Sequence, residues 1–455
     1  MFSRSRDGPP CIMLVALALV PAFNVLIAGE PHAEIDAMMR DLHARDLFHG
    51  AIIVADAGAV VYEASFGIAN REEAVTFTLD TPNDTGSIAK PLTALIVWKL
   101  HADGRLSVDD PVHKHLPTFP YPAITVRHLL AHSSGLPNYD WFEKAWPAGT
   151  VWTNERFLTT LASEQPPLEF EPGSQFNYCN TAYDIAALVA AAAAGEPFES
   201  LARDWILAPL QMETAFIRPA MFADWKDTRT RGYRLKDDVW EDHDAFDNEG
   251  MVGGGNFYLS ARDLHRWNMS FLESPLLQAA TLAEGMKPAT IGGISSELNW
   301  LSWNQADGGN KAWYSGEHNA FSTRVHRDHA ARRSIVFTCN NTPPQWLLPA
   351  LIRAITAVLD GASPEPLVPP EIRQVPRSER DAIAGHYPLR DGALAIENTS
   401  GTLHVTPEGG VRYRAFAIGG GIFYVPGLEL WFWFAPDLEL VASRVTGIEK
   451  AKRHR

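Results

Sequence analysis

The chain has 455 residues, 46% of them hydrophobic and 20% charged, an ordinary balance for a globular protein too long for one small core. Its 54 acidic residues outnumber 39 basic ones, giving a net charge of −15. That argues against nucleic acid as a partner, because phosphate binding needs basic surface and the one basic cluster is the terminal "KAKRHR".

Arg4 and Arg6 precede an apolar run from Cys11 to Ala28, interrupted by Pro21 and Asn24. This predicts an export signal over 1–29, cut near Gly29, and a mature protein that is periplasmic or extracellular. An uncleaved membrane anchor is the alternative, since the run is close to the length of one span. "AEIDAMMRDLHARD" then reads as a helix, and two β-rich runs flanking Asp56-Ala57-Gly58 read as a hairpin. The helix carrying Ser87 and Lys90 runs to about Ala102 and stops near Gly104. From about 110 to 250 the chain is mostly helices and Pro/Gly loops, including the small-residue helix "TAYDIAALVAAAAAG". A later helix, "SARDLHRWNMSFLES", has Ser260 as its N-cap. From about 312 strands return in "AFSTRVHRD" and "RRSIVFTCN", before the apolar-faced helix "QWLLPALIRAITAVLD".

Strands at both ends with helices between predict an α+β domain over 30–362. One antiparallel sheet is built from the two ends, flanked by helices, with a mostly helical insertion. Pro-dense "GASPEPLVPPEIRQVP" predicts an extended linker over 363–380. Short β-rich runs separated by Gly, Pro and Asp predict a small all-β domain over 381–455, with "LWFWF" as one of its buried strands.

Three groups of residues carry chemistry. Ser87 and Lys90 lie three apart, on one face of a helix, so the amine reaches the hydroxyl and can activate it. Pro91 fixes the helix start near Ser87, because proline fits only the first turn. No other serine has lysine three residues on. Tyr178 and Asn180 form the single Tyr-x-Asn among eleven tyrosines. A phenol beside an ammonium can shuttle protons with a lowered pKa, and the asparagine can bind a substrate carbonyl or orient the lysine. In "AWYSGEHNAF", Gly316 can bring backbone close to a ligand just before a strand. The sixteen histidines show no zinc spacing, and neither a metal nor another cofactor is expected. Cys179 and Cys339 either pair or stay as buried thiols.

In combination these stretches resemble the serine β-lactamase and penicillin-binding protein superfamily, and within it the class C β-lactamase-related esterases and D-amino-acid peptidases. "ITVRHLLAHSSGLPNY" and "GMVGGGNFYLSARDLHRW" add to the likeness, which spans about Ala33 to Asp360. The resemblance implies a serine hydrolase with Ser87 as nucleophile and Lys90 and Tyr178 as its base system, leaving open which of the two takes the proton. It also implies substrate contacts by Asn180, Tyr314, Ser315, Gly316 and Glu317, with an oxyanion hole from the backbone N–H groups of Ser87 and Glu317. Tyr314 stands where relatives carry Lys or His, which implies poor handling of β-lactams and an ester or amide substrate instead; Arg324 or Lys311 is the candidate replacement charge. The expected partner is a small molecule or peptide, with cell-wall or membrane association tied to the N-terminal segment. The alternative reading is a weakly active or inactive penicillin-binding-like protein that grips cell-wall peptides or regulates another enzyme.

Overall fold

The computed structural model describes residues 31–218 without interruption and most of 228–451, leaving out 296–303, 307–310, 368–374 and shorter stretches. The expected export segment and Cys11 lie outside the described residues. The hairpin forms as read. Strand β1 (Gly50–Asp56) turns through Ala57 and Gly58, both at positive φ, into β2 (Ala59–Phe66). Two positive-φ residues give a turn whose twist matches that of the flanking strands.

The late strands complete the same sheet. They are β3 (Asn304–Ala306), β4 (Lys311–His318), β5 (Phe321–Asp328) and β6 (Arg333–Cys339). The order is β3-β4-β5-β6-β1-β2, antiparallel throughout, with Gly50 opposite Cys339 where the two ends of the domain meet. Helices α1 (Pro31–Ala44) and α5 (Leu347–Leu359) cover one face through Ile35, Met39, Leu351 and Ile355, which pack on Ile52, Val54 and Phe337.

The other face carries the helical region. At its centre is α2 (Ala89–Ala102), "AKPLTALIVWKLHA", apolar on nearly every side and buried accordingly, with Trp98 fully enclosed. Against it lies α3 (Asn180–Ala194), whose run of alanines favours the helix and lets the two backbones approach closely. Helix α4 (Ala261–Glu273) starts with the expected cap: Ser260 Oγ accepts from Asp263 N at 3.1 Å, and an Asp263 carboxylate oxygen accepts from Ser260 N at 3.3 Å.

Beyond the sheet domain, a helix at Arg377–Ile383 occupies part of the stretch read as extended linker, and Arg45 Nη2 donates to Leu367 O at 3.0 Å. Eight antiparallel strands follow between Gly385 and Ala451, each paired with the next, and the first lies against the last. Leu394, Val405, Phe423 and Phe432 fill their core, the last two rings stacked at 5.0 Å. "LWFWF" forms one of the strands, and it sends Phe432 into that core with Phe434 packed against it. Cys179 and Cys339 are buried free thiols. Among the described residues no single helix is long and apolar enough to cross a membrane.

Candidate active site

Ser87 is positioned by the residues just before it. Asn83 and Asp84 pair with Tyr258 and Leu259, and Thr85 bonds Phe257 O through both its amide (3.1 Å) and its hydroxyl (2.7 Å). Asp84 Oδ1 then accepts from Gly86 N at 2.8 Å, closing a tight turn. A single 3₁₀ turn, Gly86–Ile88, leads into α2, so Lys90 and Pro91 fall in the first α-helical turn, where a missing N–H costs nothing. The Ser87 hydroxyl does not cap this helix. It lies 2.6 Å from the Tyr178 hydroxyl and 3.0 Å from Lys90 Nζ.

Lys90 is wholly buried, and its Nζ also donates to Asn180 Oδ1 and to Gly254 O, both at 2.8 Å. A neutral amine has two N–H groups and one lone pair. With the N–H groups directed at Asn180 and Gly254, the lone pair faces Ser87 Oγ. Burial favours that neutral form, pushing Lys90 down to about 7. Tyr178 differs from the sequence-based expectation of a lowered pKa. Burial pushes its phenol up, and Lys90 Nζ sits over its ring, 4.8 Å from the centroid. Tyr178 therefore remains a neutral phenol across the working range.

The segment 132–138 holds the Tyr178 strip in place. His132 O accepts from Asn177 N, His132 Nδ1 accepts from Cys179 N, and the His132 ring lies against Tyr178 with centroids 4.5 Å apart. The Asn138 side chain donates to Tyr178 O and accepts from Asn180 N. This is the physical content of "HSSGLPN": a cradle that brings Tyr178 and Asn180 to Ser87 and Lys90.

The third stretch arrives from the sheet. Gly316 lies inside β4 rather than at a strand entry, and β4 presses on the Ser87 turn. A Cβ added to Gly316 would lie 1.9 Å from Thr85 O and 3.0 Å from Ser87 N. One added to Gly86, at φ +50°, would lie 2.7 Å from Glu317 N. Only glycines permit that approach, which packs the backbone of the Ser87 turn directly against that of Gly316 and Glu317.

Strand alternation sorts the other candidates on β4. Tyr314 shares the Gly316 face, but it is 1% exposed, packs on Trp267 at 5.1 Å, and accepts from Arg327 Nη2 at 3.5 Å. Ser87 and Tyr178, in contrast, are partly exposed. Ser315 and Glu317 turn their side chains to the opposite face, so of these two only the Glu317 backbone is offered to the site. Lys311 and Arg324 also turn away, Lys311 toward Asp328 and Arg324 onto Glu317 Oε1 at 2.7 Å, so neither supplies the expected replacement charge.

A family model described as Beta-lactamase matches residues 35–360. The chain belongs to the β-lactamase family. It is 24% identical over 414 residues to Penicillin-binding protein 4* of Bacillus subtilis (strain 168), covering 87% of this chain and 92% of that one. It is 30% identical over 336 residues to Esterase EstB of Burkholderia gladioli, covering 64% of this chain and 82% of that one. The fold is that of an octameric penicillin-binding protein homologue from Pyrococcus abyssi, with a TM-score of 0.64 at 20% identity over 92% of this chain and 99% of that one. Matches covering 87% and 92% of the chain cannot be contained within 35–360, so they reach into the C-terminal strands.

This family member also carries a charged cluster that sequence reasoning missed. His318, at the end of β4, contacts Asp84 Oδ2 at 2.9 Å and Glu249 Oε2 at 3.0 Å. Arg218 Nη2 donates to Glu249 Oε2 at 3.1 Å and to Asn256 Oδ1 at 2.6 Å. Burial opposes the His318 charge, but the two carboxylates outweigh it and raise the imidazole to about 10. The imidazolium thus joins the turn before Ser87, the end of β4 and the loop that contains Gly254. Its members stand at 84, 218, 249 and 318, with no local spacing to reveal them. Among the described residues no group of three or more His, Cys, Asp or Glu is arranged to hold a metal ion.

Proposed function

We propose that this chain is an exported serine hydrolase that forms an acyl-enzyme on Ser87 and releases an acid from a neutral ester or amide. The observation that carries this reading is Ser87 Oγ held 3.0 Å from the Lys90 amine and 2.6 Å from the Tyr178 phenol. Lys90 takes the hydroxyl proton as Ser87 Oγ bonds to the substrate carbonyl carbon. The resulting oxyanion sits at the Ser87 and Glu317 amides, and the C–O or C–N bond breaks as the leaving group takes a proton back from the Lys90–Tyr178 pair. Water then attacks the acyl-enzyme by the same route in reverse and frees the acid and Ser87. Asn180 holds Lys90 and stands at the substrate's edge. The basic start and apolar run of residues 1–29 support export to the periplasm or beyond.

The preference for an uncharged substrate rests on the cations near the site. Among the described residues, Lys311 and Arg324 turn to the far face of β4, and His318 is engaged by Asp84 and Glu249. Among the described residues, none of these three cations is offered to a substrate carboxylate on the Gly316 face, and Arg327 on that face is fully buried against Tyr314 and Asn268. The esterase named among the relatives points the same way. Rates on a p-nitrophenyl ester, a D-alanine anilide and nitrocefin test this. We expect kcat/KM on the ester to exceed that on nitrocefin by about 100-fold or more, the scale of one lost charged contact. Nitrocefin turnover equal to that of the ester would contradict it.

A further inference from the structure

We propose that Asp184 is a positioning residue for Lys90, a carboxyl group held on the same buried network and acting on the amine through Gly254. This rests on the reading of Lys90 as the base. Asp184 lies one helical turn after Asn180 on α3 and is wholly buried. Both of its oxygens are occupied: Oδ2 accepts from the Tyr139 hydroxyl at 2.6 Å, and Oδ1 accepts from Gly254 N at 3.0 Å. Gly254 O in turn accepts from Lys90 Nζ. Gly254 therefore meets the carboxyl group with its N–H and the amine with its C=O, two successive peptide groups of one residue. Asn154 bonds Asp184 O, Val252 O and Val252 N, all at 2.7 Å, and fixes this loop against α3.

The other titratable groups around Lys90 carry no charge in the working range. His132 is held neutral by burial, Cys179 is pushed up to about 12, and burial raises Tyr178. Tyr183 places its ring 5.8 Å from Lys90 Nζ and donates its hydroxyl to Leu130 O. Tyr139 is raised by burial and by Asp184 itself. Asp184 is thus the acid that faces the amine; burial raises it to about 7, against the hydrogen bonds from Tyr139 and Gly254 and the nearby amine, which favour its charged form. Burial draws Lys90 down while Asp184 draws it back up. The balance leaves an amine far more easily deprotonated than an ordinary lysine yet readily reprotonated when Ser87 gives up its proton, as a general base near neutral pH must be.

The test is kcat/KM against pH from 5 to 9, on a neutral p-nitrophenyl ester, for the wild type, Asp184→Asn, Tyr139→Phe and Lys90→Ala. Without the Asp184 charge the ammonium is harder to form. The acid limb should move about one pH unit lower and the plateau should fall about tenfold. Tyr139→Phe leaves Asp184 a weaker acid and should move the limb the same way by less. A lowered plateau with an unmoved limb, in Asp184→Asn or in Tyr139→Phe if the first does not fold, means a structural role only and overturns the inference. A limb that persists unchanged in Lys90→Ala removes the base reading itself, and this inference with it.

Discussion

Lys90 and Tyr314 show how burial decides what a polar side chain can do. Both are closed from solvent, yet Lys90 meets Ser87 Oγ, Asn180 Oδ1 and Gly254 O, while Tyr314 meets the Trp267 ring and Arg327. Read along the sequence, Tyr314 looks like the residue that selects the substrate, because it precedes Ser-Gly in the third stretch. In the fold its ring belongs to the helical core with Trp267 and Val325. Tyr314→His should therefore act on stability. It replaces a well-packed phenol with a smaller imidazole in an apolar setting, at a cost of about 1–3 kcal/mol. Thermal unfolding should show a lower Tm, and the ratio of nitrocefin to ester hydrolysis should stay at the wild-type value. A rise in that ratio with Tm preserved would return Tyr314 to the substrate site.

At the scale of elements, the site is an encounter of four segments: the turn into α2, the strip before α3, the glycine loop at 253–255, and β4. Much of this was legible. The apolar character of "AKPLTALIVWKLHA", the first-turn proline and the β-rich composition of the late strands each have a local physical cause, so they appear in a local stretch of sequence. His318 had no such signal. Its charge depends on Asp84 and Glu249, which only the folded chain brings to it, and the linker stretch likewise hid the short helix at 377–383. The His318 contact makes a prediction with a definite sign. Its folded pKa, raised to about 10, lies above the ordinary value near 6.5. A raised cation stabilises fully below about 6.5, and the stabilisation is lost as pH rises through about 10. His318→Gln should therefore lower Tm most at pH 6 and progressively less toward pH 10. A Tm deficit independent of pH would show that His318 contributes packing rather than charge.

At the largest scale, the sheet domain depends on a seam between its two ends. β1 and β6 are nearly 300 residues apart in the chain and form adjacent inner strands of the sheet, so the domain is closed by a long-range pairing. Gly50 lies on that seam. A Cβ there would fall 1.8 Å from Thr338 O, whereas Gly255 has open space around the same position. Gly50→Ala must push the two strands apart, costing about 1–3 kcal/mol or more, and should lower Tm by several degrees while Gly255→Ala leaves it nearly unchanged. Equal Tm values for the two variants would mean the seam is not where the domain is held together.

The fold holds one serine between a buried amine of lowered basicity and a neutral phenol. The most direct test is peptide mapping by mass spectrometry after labelling with a fluorophosphonate. A single adduct is expected, on Ser87, in the wild type and none in Ser87→Ala, with Lys90→Ala labelled about 100-fold more slowly or worse. An adduct on another residue, or equal labelling of Ser87→Ala, would contradict it.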